Sequence, residues 1–305
     1  MKDSEILEQA VDIEAVSHKN ATHFALCDKS RIRYLISVNG GKKRLSSNLS
    51  TYSNKLRFLM WYLEYFPLST LAAGSLGYFV KATLHPAIME IFSKTDSTAW
   101  NMIAGTYNEK QKLVFQCFNS KRTASLFIKV GNKNTNTELL NEIDFLNGKR
   151  KYSKFNIPKL VDSKTLTDQF PFNILVTKEF AGDKVKPVMT DDIYGIYHEI
   201  SGRPLYSDDI DYEFSHGDFA PWNIKKGKDR YIVFDWEHCG VRFRGYDLIH
   251  YTYMIERKLH HKSEKEAIQN AIKKAIEYDP WLGNQNSQEL AELFFNTMYG
   301  VLGSV

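Results

Sequence analysis

A chain of 305 residues, 43% hydrophobic and 25% charged, has enough material for about two domains with a real core, which excludes a peptide module, a disordered segment and a collagen-like repeat. Forty Lys and Arg against 36 Asp and Glu leave a net charge of +4, scattered in short clusters such as Lys42-Lys43-Arg44, Lys149-Arg150-Lys151 and Lys225-Lys226. Without a long basic stripe, nucleic acid is not expected as a partner.

Three cysteines far apart in sequence, Cys27, Cys117 and Cys239, and a start without the basic-then-apolar order of a signal peptide predict a reducing, cytoplasmic setting. No CxxC or HExxH spacing is present, so a histidine or cysteine metal centre is not expected.

Residues 22–38 alternate apolar and polar around Asp28-Lys29-Ser30 and predict a β-hairpin. Leu56, Leu59, Met60 and Leu63 recur at helical spacing and predict a helix over 56–66. The stretch Tyr65 to Val80 is uncharged for 16 residues, short of the ~20 that cross a bilayer, and Pro67, Gly74 and Gly77 interrupt it. A buried helix or helical hairpin is expected there. Lys55, Arg57 and Lys81 at its flanks leave a peripheral membrane contact through residues 54–94 as the alternative. Residues 1–95 therefore read as an α+β accessory region.

Strands follow at 100–107, 112–118 and 124–130, the last ending at Gly131, and then a helix with Leu139, Ile143 and Leu146 on one face. A strand over 172–180 runs into Ala181-Gly182-Asp183, a natural break, so 96–180 forms one unit and 181–305 another. Thr190 caps a helix reaching about Ser201, and Ser263-Glu264-Lys265-Glu266 is a capping box before the stripe Ala267, Ile268, Ala271, Ile272, Ala275, Ile276. A second stripe is Leu290, Leu293, Phe294, Met298 and Val301.

The chemistry concentrates at Ser215-His216-Gly217-Asp218-Phe219-Ala220-Pro221-Trp222-Asn223 and Phe234-Asp235-Trp236-Glu237. Asn223 lies five residues after Asp218 and Asp235 twelve after Asn223, with Gly227-Lys228-Asp229 suited to a turn between two short strands. Phosphoryl transfer from a nucleoside triphosphate asks for metal ions on the phosphates, a carboxylate orienting the acceptor and charge neutralisation. Asp235 and Asn223 offer oxygen ligands suited to Mg²⁺, and Asp218 could take or orient the proton of an acceptor hydroxyl.

On these residues the sequence resembles the aminoglycoside phosphotransferase and choline kinase family, small-molecule kinases that share the protein-kinase fold: His216-Gly217-Asp218 with Asn223 matches the catalytic loop, and Asp235-Trp236-Glu237 the metal-binding segment. The resemblance implies an α+β, two-lobed fold, with a small antiparallel-sheet N-lobe carrying one main helix over 96–180, a mostly helical C-lobe over 181–305, and residues 1–95 as an N-terminal extension. It implies ATP and Mg²⁺ as cofactors. It also implies Lys129 on the α- and β-phosphates, paired with Glu142 or, one turn earlier, Glu138. The linker Thr177 to Gly182, with Glu179 and Phe180, would grip the adenine through its backbone. Gly105 falls in the stretch expected over the phosphates, which has one glycine. His216 joins Asp218 in the catalytic loop, as a brace more than as an acid or base, and Asp247 matches a structural aspartate.

The resemblance leaves the acceptor open: a sugar, an aminoglycoside or an amino-alcohol-like hydroxyl compound. The form His-Gly-Asp-Phe-x-Pro-Trp-Asn is similar to that of phosphotransferase-like proteins of bacterial cell-surface polysaccharide biosynthesis, which implies a sugar or glycan precursor. Only 33 residues separate Asp183 from Ser215 inclusive, so the acceptor pocket is expected to draw on the C-terminal helices or on residues 1–95. Two alternatives stand beside the enzyme, a catalytically silent kinase-like scaffold and a membrane-surface or partner-binding module acting through residues 1–95. Oligomeric state is not legible.

Overall fold

The computed structural model describes residues 5–28, 31–38, 77–105, 108–121, 123–148, 150–165, 172–202 and 211–300, so the expected helix over 56–66 and most of the apolar run after it lie outside the described residues. The chain divides into two compact units, Met1–Ile143 with Lys159–Glu179, and Asp144–Pro158 with Phe180–Val305.

In the first unit the chain runs α1 (Glu5–Ala10), β1 (Val11–Ala15), β2 (His23–Asp28), β3 (Arg31–Ser37), β4 (Gly77–Leu84), α2 (Pro86–Ser93), β5 (Ser97–Ala104), β6 (Lys112–Asn119), β7 (Ala124–Gly131) and the part up to Ile143 of α3 (Asn136–Asn147). It gives β8 (Phe155–Asn156) to the second unit and returns as β9 (Leu160–Thr165) and β10 (Asn173–Lys178). The nine strands make one sheet, ordered β1-β4-β2-β3-β5-β6-β7-β10-β9, with every neighbour antiparallel.

Register separates the two faces of this sheet. Leu35, Met102, Phe115, Ile128 and Val176 stand opposite one another across five strands, and all five are buried. The next row, Tyr34, Ile103, Val114, Lys129 and Leu175, points to the other face, because successive side chains on a strand alternate. The first face is covered from the N-terminal part of the chain: Ile6, Leu7 and Ala10 of α1 and Ile88 and Ile91 of α2 join Phe115, Ile128 and Val130 in one apolar cluster.

Residues 1–95 are therefore not a region apart from the unit expected over 96–180. They supply four strands of the same sheet and the helices that cover it. The physical reason is the alternation in β5, β6 and β7, which leaves a wholly apolar face that has to be shielded from water. A second correction concerns the apolar run: Gly77–Val80 opens β4 instead of continuing a helix, and Val80, Leu84, Ile88 and Ile91 are buried within the cluster. Their burial leaves these four side chains of the 54–94 stretch no apolar surface to present to a membrane. Among the described residues no helix is long and apolar enough to cross one.

The second unit holds β8, β11 (Asp183–Lys184), α4 (Asp191–Ser201), β12 (Tyr212–Ser215), β13 (Ile224–Lys226), β14 (Tyr231–Val233), β15 (Gly240–Phe243), α5 (Tyr246–Lys258), α6 (Glu264–Tyr278) and α7 (Ser287–Met298). Residues 144–158, expected with the sheet, belong here for two reasons. Phe145 stacks on Trp236 with ring centroids 4.0 Å apart, and β8 pairs in parallel with β14. Thr190 caps α4, and the capping box of Ser263 and Glu266 opens α6, as the sequence predicts. Phe294 of α7 packs against Tyr246 and Tyr253 of α5.

If α2 is part of the core, Ile88→Ala should behave as a core truncation. Urea unfolding is expected to show a loss of about 2–5 kcal/mol, far above the roughly 0.5 kcal/mol of a surface change.

Candidate active site

In the first unit, Lys129 of β7 reaches Glu142 of α3, Nζ to Oε2 2.6 Å, with side chains 16% and 4% exposed. At the end of β7, a Cβ on Gly131 would stand 2.1 Å from Thr135 Oγ1 and 2.3 Å from a terminal methyl of Leu139, so a larger residue there would have to displace both side chains. Glu138 pairs instead with Lys110 (3.0 Å) and with Lys112, and of the two glutamates the sequence left open it is Glu142 that meets Lys129.

Gly105 has its backbone occupied. Its N–H donates to the Lys112 carbonyl (2.8 Å) and its own carbonyl accepts from Gln111 Nε2 (3.1 Å) and from Arg33, which closes the mouth of the β5–β6 hairpin. An amide used this way is not free to meet a phosphate. The Glu179 amide is likewise used, donating to the Ser125 carbonyl (2.9 Å) just past the end of β10. Phe180, in the second unit, lies 4.9 Å from Phe234 between ring centroids, and the Lys225 ammonium sits 5.0 Å from the Phe180 ring.

The second unit carries the residues expected to form the catalytic loop, His216, Asp218 and Asn223. After β12 the chain turns at Gly217 (φ +85°), where a Cβ would lie 2.1 Å from the His238 carbonyl oxygen. Any other residue would be strained in φ and would also collide with backbone. The turn is pinned by the buried Asp247 of α5, whose carboxylate accepts from Ser215 Oγ (2.8 Å), the His216 N–H (2.6 Å) and the Gly217 N–H (3.1 Å).

His216 is fully buried and held at both nitrogens. Nε2 lies 3.0 Å from the Phe234 carbonyl, which can only accept, and Nδ1 accepts the Asp218 N–H at 3.3 Å. A neutral imidazole satisfies both contacts, and burial pulls its pKa down to about 4. His216 is thus held as a neutral ring between the Phe234 carbonyl and the Asp218 amide.

Asn223 donates from Nδ2 both to the Asp218 carbonyl and to Asp218 Oδ2, each at 2.8 Å. Asp218 stays 29% exposed, and its other oxygen lies 3.7 Å from His250 Nε2. Burial first, and then the charge of Asp235, push its pKa up to about 6. Asp235 itself takes a left-handed conformation (φ 71°, ψ 55°), unusual for a residue with a side chain, a strain of the kind concentrated at functional sites. Carboxylate oxygens of Asp235 and Glu237 come within 4.8 Å of each other. With its Nδ2 turned to Asp218, Asn223 keeps its side-chain oxygen as an acceptor, and the carboxylates of Asp235 and Glu237 are oxygen donors of the kind a hard divalent cation takes.

Sequence reading missed His250. Its burial (4% exposed) and its contact with Asp218 depend on α5 presenting it three residues after Asp247, on the same helical face, a spacing that was legible but had no motif attached. Glu213 was missed too. Buried in β12, it accepts from Tyr197 Oη (2.9 Å) and from the Gly245 N–H (2.9 Å) at the start of α5, and burial raises its pKa to about 8.

No protein-family profile matches the chain, and no curated protein does. Among solved structures it is similar to amicoumacin kinase hAmiN in complex with AMP-PNP, Ca²⁺ and Ami (14% identity, 72% of this chain and 86% of that one, TM-score 0.43). It is also similar to a microcompartment-associated aminopropanol kinase (13%, 72% and 91%, TM-score 0.44) and to a thermostable mutant of aminoglycoside phosphotransferase APH(4)-Ia (12%, 71% and 99%, TM-score 0.39). With TM-scores below 0.5 these likenesses carry no argument, and chemistry has to be read from the chain's own residues.

The raised pKa of Glu213 makes stability pH-dependent. The folded state holds this proton more tightly than the unfolded chain, so the contribution is fully present below about pH 4.5 and is lost as pH rises through about 8. Glu213→Gln keeps an acceptor for Gly245. Thermal melts from pH 5 to 9 should fall less steeply for the variant than for the wild type.

Proposed function

We propose that the protein is an ATP- and Mg²⁺-dependent phosphotransferase that moves the γ-phosphoryl group to a hydroxyl of a small molecule, a sugar or amino-alcohol-like compound. The observation that carries this is the Asp218–Asn223 pair, held by the Asp247-pinned turn, in the same unit as a left-handed Asp235. In this reading Lys129, oriented by Glu142, holds the α- and β-phosphates, and Asn223 and Asp235 hold the metal. Bound there, the metal would neutralise charge developing on the phosphates.

The acceptor oxygen would attack the γ-phosphorus as its proton passes to a carboxylate oxygen of Asp218, while the bond from that phosphorus to the bridging oxygen of the β-phosphate breaks and ADP leaves. The pKa of about 6 leaves Asp218 mostly ionised at neutral pH, yet more basic than an ordinary aspartate, as a general base requires. Adenine would be gripped by linker groups other than the Glu179 amide, which is already bonded to Ser125. Trp222, 41% exposed beside Asn223, offers an aromatic face for the acceptor. The glycan-precursor reading rests on the loop resemblance alone.

The test compares thermal unfolding with and without Mg·ATP for the wild type, Asp235→Asn and Asp218→Asn. Nucleotide at about 100 times Kd adds ~2.7 kcal/mol, a shift of several degrees for a chain this long. The shift should require Mg²⁺, disappear in Asp235→Asn and persist in Asp218→Asn. That last variant should transfer no phosphate to any of a panel of sugars, aminoglycosides and amino alcohols that the wild type phosphorylates. Absence of any nucleotide shift in the wild type would sink the proposal.

A further inference from the structure

Arg33 lies in the N-terminal strands, outside the segment that carries the kinase-like residues. In the β2–β3 pairing Leu26 faces Tyr34 and Cys27 faces Ile32, so Arg33 is the extra residue of a β-bulge and has no partner on β2. Bulges bend the strand and re-aim a side chain, and they are frequent beside active sites. Here the re-aimed guanidinium donates to the carbonyl of Gly105, at the mouth of the β5–β6 hairpin. The neighbouring residue, Tyr34, stands in the same cross-strand row as Ile103, Val114 and Lys129.

The charges of this unit single Arg33 out. Lys129 is paired with Glu142, and Lys110 and Lys112 with Glu138, whereas Arg33 is only part-exposed and among the described residues has no carboxylate within ion-pair distance. A guanidinium has five donors, and the one contact to Gly105 leaves most of them unused. A part-buried cation without a counter-charge is a standing electrostatic cost that a bound anion removes, and the planar fork of arginine suits the paired oxygens of a phosphate. The Gly105 amide offers no substitute, because it is held by the Lys112 carbonyl.

We propose that Arg33 binds a phosphate group of the nucleotide, so that the N-terminal strands contribute a ligand-binding residue to the site. The inference rests on the phosphotransferase reading. It assigns Arg33 the charge that a hairpin with a single, backbone-bonded glycine does not provide.

The experiment is calorimetric titration of the full-length wild type, Arg33→Gln, Arg33→Lys and Lys129→Met with Mg·ATP, inorganic tripolyphosphate and adenosine, alongside melts without ligand. Arg33→Gln should melt like the wild type, bind ATP and tripolyphosphate roughly tenfold or more weakly and leave adenosine unchanged, as loss of a charge-assisted contact requires. Arg33→Lys should fall between them, and it supplies the comparison should the glutamine variant fold poorly. Wild-type ATP affinity in both Arg33 variants, with Lys129→Met impaired, overturns the inference and leaves the phosphotransferase reading standing. An equal loss of adenosine overturns it as well, by tracing the effect to the shape of the hairpin. A wild type that binds none of the three ligands overturns both.

Discussion

One buried carboxylate sets the geometry of the second unit. Asp247 gathers the Ser215 hydroxyl and two successive amides, His216 and Gly217, onto its two oxygens, so the backbone leading to Asp218 has no freedom left. Its place in the first turn of α5 suits a negative charge, since the amides at a helix start point toward it. Burial works in the opposite direction and raises its pKa, which three good donors partly offset. The start of α5 is itself fixed. Gly245 (φ +87°) caps it where a Cβ would meet Leu282, and its N–H is taken by Glu213 from β12. Strand and helix are therefore tied at two points, and Asp218 inherits its direction from both.

The first unit meets a different constraint, that of a sheet whose two faces do different work. One row of side chains is apolar across five strands and is sealed by α1 and α2, while the other presents Lys129 to α3. The seal is what permits the second face to carry charge, because a sheet exposed on both sides would have little apolar area to stabilise it. Removing one member of the part-buried Lys129–Glu142 pair would leave the other uncompensated, a cost of about 3–5 kcal/mol where burial is complete. The pair thus holds α3 on β7 as well as orienting the ammonium.

Much of this was legible in the sequence wherever the signal was local. Alternation gave the β2–β3 hairpin and β5 to β7, Thr190 and Ser263 announced α4 and α6, and the family resemblance implied a partner for Lys129 while leaving Glu138 and Glu142 both open. What escaped depends on distant partners. β1 pairs with β4 across more than sixty residues, and β4 is the tail of a run whose lack of charge suggested a helix. Phe145, in the last turn of α3, and Phe155, after it, look like ordinary apolar residues until Trp236 and β14 claim them. Gly105 invited a phosphate-loop reading because its motif is short, and only the register shows its amide bonded to Lys112.

His216 links two segments of the second unit through its ring nitrogens. Its Nδ1 takes the amide of Asp218, and its Nε2 lies against the carbonyl of Phe234, the residue before Asp235. The ring therefore spans the two segments that bear the carboxylates, and a change in the position of one is felt by the other. A side chain for this task has to donate at one edge and accept at the other while keeping a fixed distance between them, which a neutral imidazole does. Protonation would turn the Nδ1 acceptor into a second donor facing an N–H. The burial that pulls the His216 pKa to about 4, with Trp236 packed 4.4 Å from its ring, prevents that at neutral pH. Desolvation, which raises the Asp218 pKa, is thus the same condition that keeps the His216 ring neutral.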